Sequence, residues 1–152
     1  MNSYHLVLFT LDDQRYALHL SAVERAVCAV DVTPLPRAPE IVLGVINVQG
    51  RIVPVVNMRK RFRLPERDLK LSDQIVIART SRRTVALVVD AVTGVTELSE
   101  REIVSPGKIV PGTQYVEGVV KLEDGLVLIH DLNQFLSLDE EKALDVSLDA
   151  NG

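Results

Sequence analysis

The 152-residue chain has no tryptophan, one cysteine, only three tyrosines and three phenylalanines, and no uninterrupted apolar run near the ~18 residues of a membrane span. A lone Cys28 excludes an intramolecular disulfide, and its neighbours Val27 and Ala29 make it read as a small buried hydrophobe in a reducing compartment. The opening Met-Asn-Ser-Tyr-His has no cationic stretch leading into an apolar core, so neither export nor membrane insertion is predicted and the cytoplasm is the expected location. Neither charge sign dominates. Seventeen Lys and Arg against 21 Asp and Glu give a net charge of −4, which supplies no global attraction to phosphate backbones or anionic lipid.

Catalytic apparatus is missing too. There is no G-x-S-x-G, no Walker-type phosphate loop and no G-x-G-x-x-G opening a helix. His5, His19 and His130 lie far apart, outside any H-x-x-x-H or C-x-x-C frame, so no metal site is predicted. His19, alternating with Leu18 and Leu20, reads as an outward strand residue. Asp12-Asp13, Glu123-Asp124 and Asp139-Glu140-Glu141 read as turn and cap residues rather than an acid–base pair. The chain is expected to be no enzyme and to need no cofactor.

What is present is a 47% hydrophobic, valine- and isoleucine-rich sequence cut into short segments by turn residues, which predicts an all-β protein. Leu6 to Leu11 and Tyr16 to Leu20 flank the polar turn Asp12-Asp13-Gln14-Arg15; Val42 to Val48 and Arg51 to Val56 flank Gln49-Gly50. Pro34, Pro36 and Pro39 make the intervening segment a loop. The same order then recurs. Leu8, Ala17, Leu18 and Leu20 map onto Ile77, Ala86, Leu87 and Val89 at a constant offset of 69, and Gly44, Gly50 and Phe62 map onto Gly118, Gly125 and Phe135 at 73 to 75. Ser21 and Asp90, helix-capping types, follow the first hairpin of each copy.

This predicts two copies of one unit, about 6–62 and 75–135, joined by a polar linker at 63–73. Units this small are expected to close into barrels and to pack together through their apolar excess. Short helical pieces are expected at 58–62 and 131–135. The acidic segment 139–152 reads as a C-terminal helix or tail, opened by the capping box Ser137-Leu138-Asp139-Glu140 and frayed from Asp145 onward.

Charge is uneven along the chain. Residues 1–72 carry ten basic and seven acidic side chains (+3), residues 73–152 seven and fourteen (−7), which suggests two faces meeting different protein partners. The densest run, Arg59-Lys60-Arg61-Phe62-Arg63, is the basis of an alternative reading, a nucleic-acid-binding double barrel. Against it, the repeat-equivalent Leu132-Asn133-Gln134-Phe135 has no basic residue, and a surface turn with its Phe packed inward explains both copies.

Gly44-Val45-Ile46-Asn47-Val48-Gln49-Gly50-Arg51-Ile52-Val53-Pro54-Val55-Val56-Asn57-Met58-Arg59 resembles the G-V-x-N-x-R-G-x-I-V-P-V-V-D-L-R stretch of the CheW family of chemotaxis coupling proteins. Tyr16-Ala17-Leu18-x-Leu20-x-x-Val23, the Pro34-Leu35-Pro36 loop and Val85-Ala86-Leu87-Val88-Val89-Asp90-x-Val92 are similar to the same family. The resemblance covers about residues 4–138 as a single CheW-like domain and implies two five-stranded SH3-like barrels. It also implies an adaptor between the cytoplasmic tips of methyl-accepting chemoreceptors and the regulatory domain of a CheA-type histidine kinase, membrane-associated only through receptor arrays. By matching position, Val23, Arg25, Ala26, Gln49 and Ile75 would form the receptor groove, and Val32, Leu35, Pro39 and Gly44 the kinase-facing surface. Three positions depart from the pattern. Arg25 stands where an acid is usual, Gln49 where Arg is usual, and Asn57 where Asp is usual, which dismantles the family's carboxylate–guanidinium pair and suggests an adaptor for a divergent receptor or a specialised chemosensory pathway. The alternative reading is that Arg25 and Gln49 simply hydrogen-bond one another.

Overall fold

The computed structural model describes residues 3–28, 31–104, 116–122 and 125–151. β1 (Ser3–Leu11) and β2 (Gln14–His19) pair across the two-residue turn Asp12-Asp13, with Asp12 at φ 53°. Gln14 and Arg15, expected in the turn, already belong to the strand. β3 (Val23–Cys28) follows a single 3-10 turn, and β4 (Val42–Val48) and β5 (Arg51–Val56) then form the second hairpin. Its turn residues Gln49 and Gly50 both take positive φ (51° and 85°), the backbone a two-residue hairpin turn requires. After α1 (Met58–Arg61), the order repeats as β6 (Gln74–Arg79), β7 (Thr84–Val89), β8 (Ala91–Ser99), β9 (Ile103–Val104), β10 (Val116–Leu122) and β11 (Gly125–His130). α2 (Leu138–Asn151) closes the chain.

The repeat is kept at the level of strand register. Leu8 opposes Ala17 as Ile77 opposes Ala86, and Gly44 opposes Val55 as Gly118 opposes Ile129. Even the parallel contacts correspond, Ile129 with Ala17 and Val55 with Ala86. Sheet membership, however, crosses the repeat. One sheet runs β8-β1-β2-β11-β10-β9 and the other β3-β6-β7-β5-β4, so each half lends its first hairpin to the sheet completed by the other half. Thus the sequence units 6–62 and 75–135 are not the two barrels.

Burial explains the exchange. In β2, Tyr16 and Leu18 enter the largest core cluster, between the sheets, while Ala17 faces a separate cluster with Leu6, Val120, Val127 and Ile129. In β7, Val85, Leu87 and Val89 enter the same large cluster while Ala86 packs with Ile46, Val53, Ile75 and Ile77. A strand apolar on both faces needs cover on both, and the sandwiched hairpins obtain it. The expected apolar excess is this shared cluster, where Tyr16, His130 and Phe135 surround Phe62 at ring-centroid distances of 5.0, 4.3 and 5.6 Å.

Three local expectations change. Asp90 caps no helix, since β8 begins at the next residue; its carboxylate is used in an ion network described below. Cys28 is exposed, because β3 is an edge strand and Cys28 ends it. α2 does not fray at Asp145 but runs to Asn151, since Leu144 and Ser147 are buried on its inner face. Its capping box forms as read: the Glu140 N–H donates to Ser137 Oγ (3.1 Å) and the Ser137 N–H to Glu140 Oε1 (2.8 Å).

Candidate functional site

Of the residues expected to form the receptor groove, Val23, Arg25 and Ala26 lie on edge strand β3, Gln49 in the β4–β5 turn and Ile75 on β6. Among the described residues β3 pairs only with β6, with a bulge between Val23 and Arg25, and shows Glu24, Arg25 and Ala26 to solvent. Arg25 donates from Nη2 to Gln49 Oε1 at 3.2 Å, so the two departures from the family pattern do bond one another. One residue away, Arg51 Nη2 donates to Glu24 Oε2 at 2.8 Å. That hydrogen bond is the main cause of the Glu24 carboxyl lying below its ordinary value; desolvation, the next-largest effect, opposes it, and the nearby Arg51, Arg25 and Arg79 charges reinforce it. A carboxylate–guanidinium pair between β3 and the hairpin is therefore present, carried by Glu24 and Arg51 rather than by residues 25 and 49. Sequence reasoning missed it, although an acid and a base stood beside the two departures.

Not every groove residue meets solvent. Val23 is half-buried against the shared cluster, and Ile75 is fully buried opposite Val27 in the β6 face of the β3–β5 barrel. Ile75 is therefore sealed from solvent and packs beneath β3 instead of facing outward. Ile52, adjacent to Arg51, is 58% exposed and adds an apolar side chain beside the polar links.

The second surface is the proline loop. Thr33 and Val45 exchange both backbone hydrogen bonds (2.9 and 2.8 Å), laying the loop along the outer edge of β4. A Cβ on Gly44 would meet the Thr33 carbonyl oxygen at 2.2 Å, so glycine is what lets the loop approach. Gly44 is accordingly buried, whereas Val32, Leu35 and Pro39 are each partly exposed. Leu35 also packs on the shared cluster.

Behind this loop lies a cavity of about 370 Å³ whose lining includes Val32, Leu43, Arg59, Arg67, Asp73 and Asp90. Charged side chains line it. Arg59 donates to Asp12 (2.7 Å), to Asp90 (2.8 and 3.1 Å) and to the Pro65 carbonyl (2.9 Å), while Arg67 donates to Asp73 (2.7 and 2.8 Å) and Asp90 (2.7 Å). Asp73 is buried, and the Arg67 hydrogen bond outweighs desolvation to hold its carboxyl below the ordinary value.

These pairs also decide the basic run. Arg59 is buried, Lys60 reaches Glu40 at 3.2 Å, and Arg61 grips Glu140 at 2.7 and 2.8 Å. Three of the run's four basic side chains thus pair within the molecule, and the nucleic-acid reading is not supported. Three ion pairs, Arg59–Asp90, Arg61–Glu140 and Arg67–Asp73, join the basic first half to the acidic second half. Among the described residues no three His, Cys, Asp or Glu side chains cluster as metal ligands, and no helix is long and apolar enough to cross a membrane. Glu123-Asp124, read from the sequence as turn residues, lies outside the described residues.

The sequence profile of the CheW-like domain matches residues 5–140, most of the chain. The chain belongs to the CheW family. The chemotaxis protein CheW of Treponema pallidum is 29% identical over 147 residues, covering 93% of this chain and 86% of that protein. CheW of Rhizobium meliloti is 29% identical over 140 residues, covering 91% and 90%. The crystal structure of the scaffolding protein TtCheW from Thermoanaerobacter tengcongensis superposes with a TM-score of 0.83 at 30% identity, over 91% of this chain and 96% of that one. The architecture is the CheW pair of SH3-like barrels, and the exchanged hairpins described above are how this chain builds it.

Proposed function

We propose that this protein is a non-enzymatic cytoplasmic adaptor that couples methyl-accepting chemoreceptor tips to the regulatory domain of a CheA-type histidine kinase. The match to the CheW-like domain over residues 5–140 carries this reading, and the fold shared with a CheW scaffolding protein supports it. The receptor surface is edge strand β3 with the β4–β5 turn: Arg25, Ala26 and Gln49 make contact, Glu24 and Arg51 brace the strand, and Val23 and Ile75 hold it from within. The kinase surface is the proline loop, with Val32, Leu35 and Pro39 presented and Gly44 permitting their approach to β4.

Arg25→Glu and Gln49→Arg, singly and together, test the receptor assignment, with binding to a receptor tip fragment and to the kinase regulatory domain measured separately. Exposed polar contacts of this kind contribute roughly 1 kcal/mol, so each single change should shift receptor Kd by about threefold to tenfold and leave kinase Kd unchanged. Receptor affinity that is the same in all three variants and in the parent would remove the groove assignment.

A further inference from the structure

We propose that α2 is a strap that sets the conformation of the proline loop, with Ser147 as the positioning residue. The profile match ends at residue 140, so most of this helix lies beyond the matched domain. The inference rests on the reading of the proline loop as the kinase-facing surface only for its consequence in binding.

Leu35, Pro36, Arg37 and Ala38 form a turn in which the Ala38 N–H donates to the Leu35 carbonyl at 3.3 Å. Proline suits the second position of such a turn, but the third is Arg37 at φ 63°, a left-handed backbone that glycine adopts readily and an arginine does not. Strained residues persist only where neighbouring structure holds them. Here the Ser147 hydroxyl lies 2.7 Å from the Arg37 carbonyl oxygen, 110 residues away in sequence, and 3.0 Å from the Ala143 carbonyl of its own helix. Ser147 is buried, and Leu35, Ala38 and Leu148 pack on the cluster that contains Leu144. One turn of α2 thus clamps the loop from below.

The strap depends on its anchors. A 14-residue helix is marginal in isolation, and its last turn holds no basic residue to complement the helix dipole. It is held by Arg61 on Glu140, by Arg83 Nε on Glu141 (2.8 Å), by an Arg83–Asp145 pair and by buried Leu144. Ser147 is the contact that passes this anchoring to the loop backbone.

The test uses full-length Ser147→Ala, Arg37→Gly and the double variant, with amide hydrogen exchange at Thr33, Ala38 and Val42 and separate titrations with kinase regulatory domain and receptor tip. Ser147→Ala should speed exchange at Ala38 and Val42 about tenfold and weaken kinase binding several-fold, with receptor affinity unchanged. In the Arg37→Gly background, where the turn no longer needs holding, Ser147→Ala should have little effect on either. Unchanged exchange in Ser147→Ala, with helix content intact by circular dichroism, would overturn the strap. Faster exchange with unchanged kinase affinity upholds the strap and removes the proline loop from the kinase surface instead.

Discussion

Asp90 receives hydrogen bonds from Arg59, Arg67 and the Asp12 N–H, and so joins the β1–β2 turn, α1, the linker and the end of β7 at one carboxylate. Removing the buried guanidinium of Arg59 leaves Asp12 and the Pro65 carbonyl without this donor, so Arg59→Met should lower stability by about 2–3 kcal/mol in urea titration. Asp73 gives the network a pH dependence. Its folded-state pKa lies below the ordinary 3.8, so its contribution is complete above that value and is lost as pH falls toward the folded one. Asp73→Asn should therefore be less stable than the parent at neutral pH and lose less on acidification below pH 3.8, by denaturation midpoints across pH. Gly44→Ala places a Cβ against a backbone oxygen that cannot move without breaking the Thr33–Val45 pair. A loss of at least ~2 kcal/mol with loop amide protection gone is expected, read by denaturation and hydrogen exchange.

Elements whose chemistry is local were legible in advance. Gln49-Gly50 between apolar runs specifies a hairpin because few residues accept two successive positive φ angles, and Asn57 and Ser137 mark helix starts because their oxygens accept free amides. Asp90 was misread for the same reason: capping and salt-bridging use one carboxylate, and only the arrival of Arg59 and Arg67 from elsewhere decides between them. α2 was shortened because its last residues are mainly polar, whereas two buried positions, Leu144 and Ser147, suffice to hold them. At this scale the aromatic cluster offers a check. Phe62 is half-buried among Tyr16, His130 and Phe135, so Phe62→Ala should cost about 2–3 kcal/mol, measured by chemical denaturation, even though it lies in the most basic stretch of the chain.

At the scale of the whole molecule, exchange of the first hairpins makes the two barrels one cooperative unit. β1 and β2 lie between β8 and β11, and β6 and β7 lie between β3 and β5. Cleaving the linker should therefore yield fragments 1–66 and 67–152 that are each unfolded by circular dichroism, yet regain β structure when mixed. Independent folding of either fragment would contradict the interleaved topology. Charge crosses the halves in the same way, since Arg59, Arg61 and Arg67 of the first pair with Asp90, Glu140 and Asp73 of the second.

By itself the sequence determined the hairpins, the duplication and the family, because alternation, turn residues and repeat spacing are properties of neighbouring positions, but it did not mark β3, β8 or β9 as strands. It also singled out Arg25 and Gln49 as linked departures. Only the tertiary structure decided which hairpin enters which sheet, that Ile75 is sealed inside while Cys28 is not, and that Glu24 with Arg51 carries the ion pair at the edge of β3. The physical reason is that the duplicated hairpins carry the same apolar pattern on both faces. Either barrel would accept either hairpin locally, and the choice rests on burying both faces at once across the shared core.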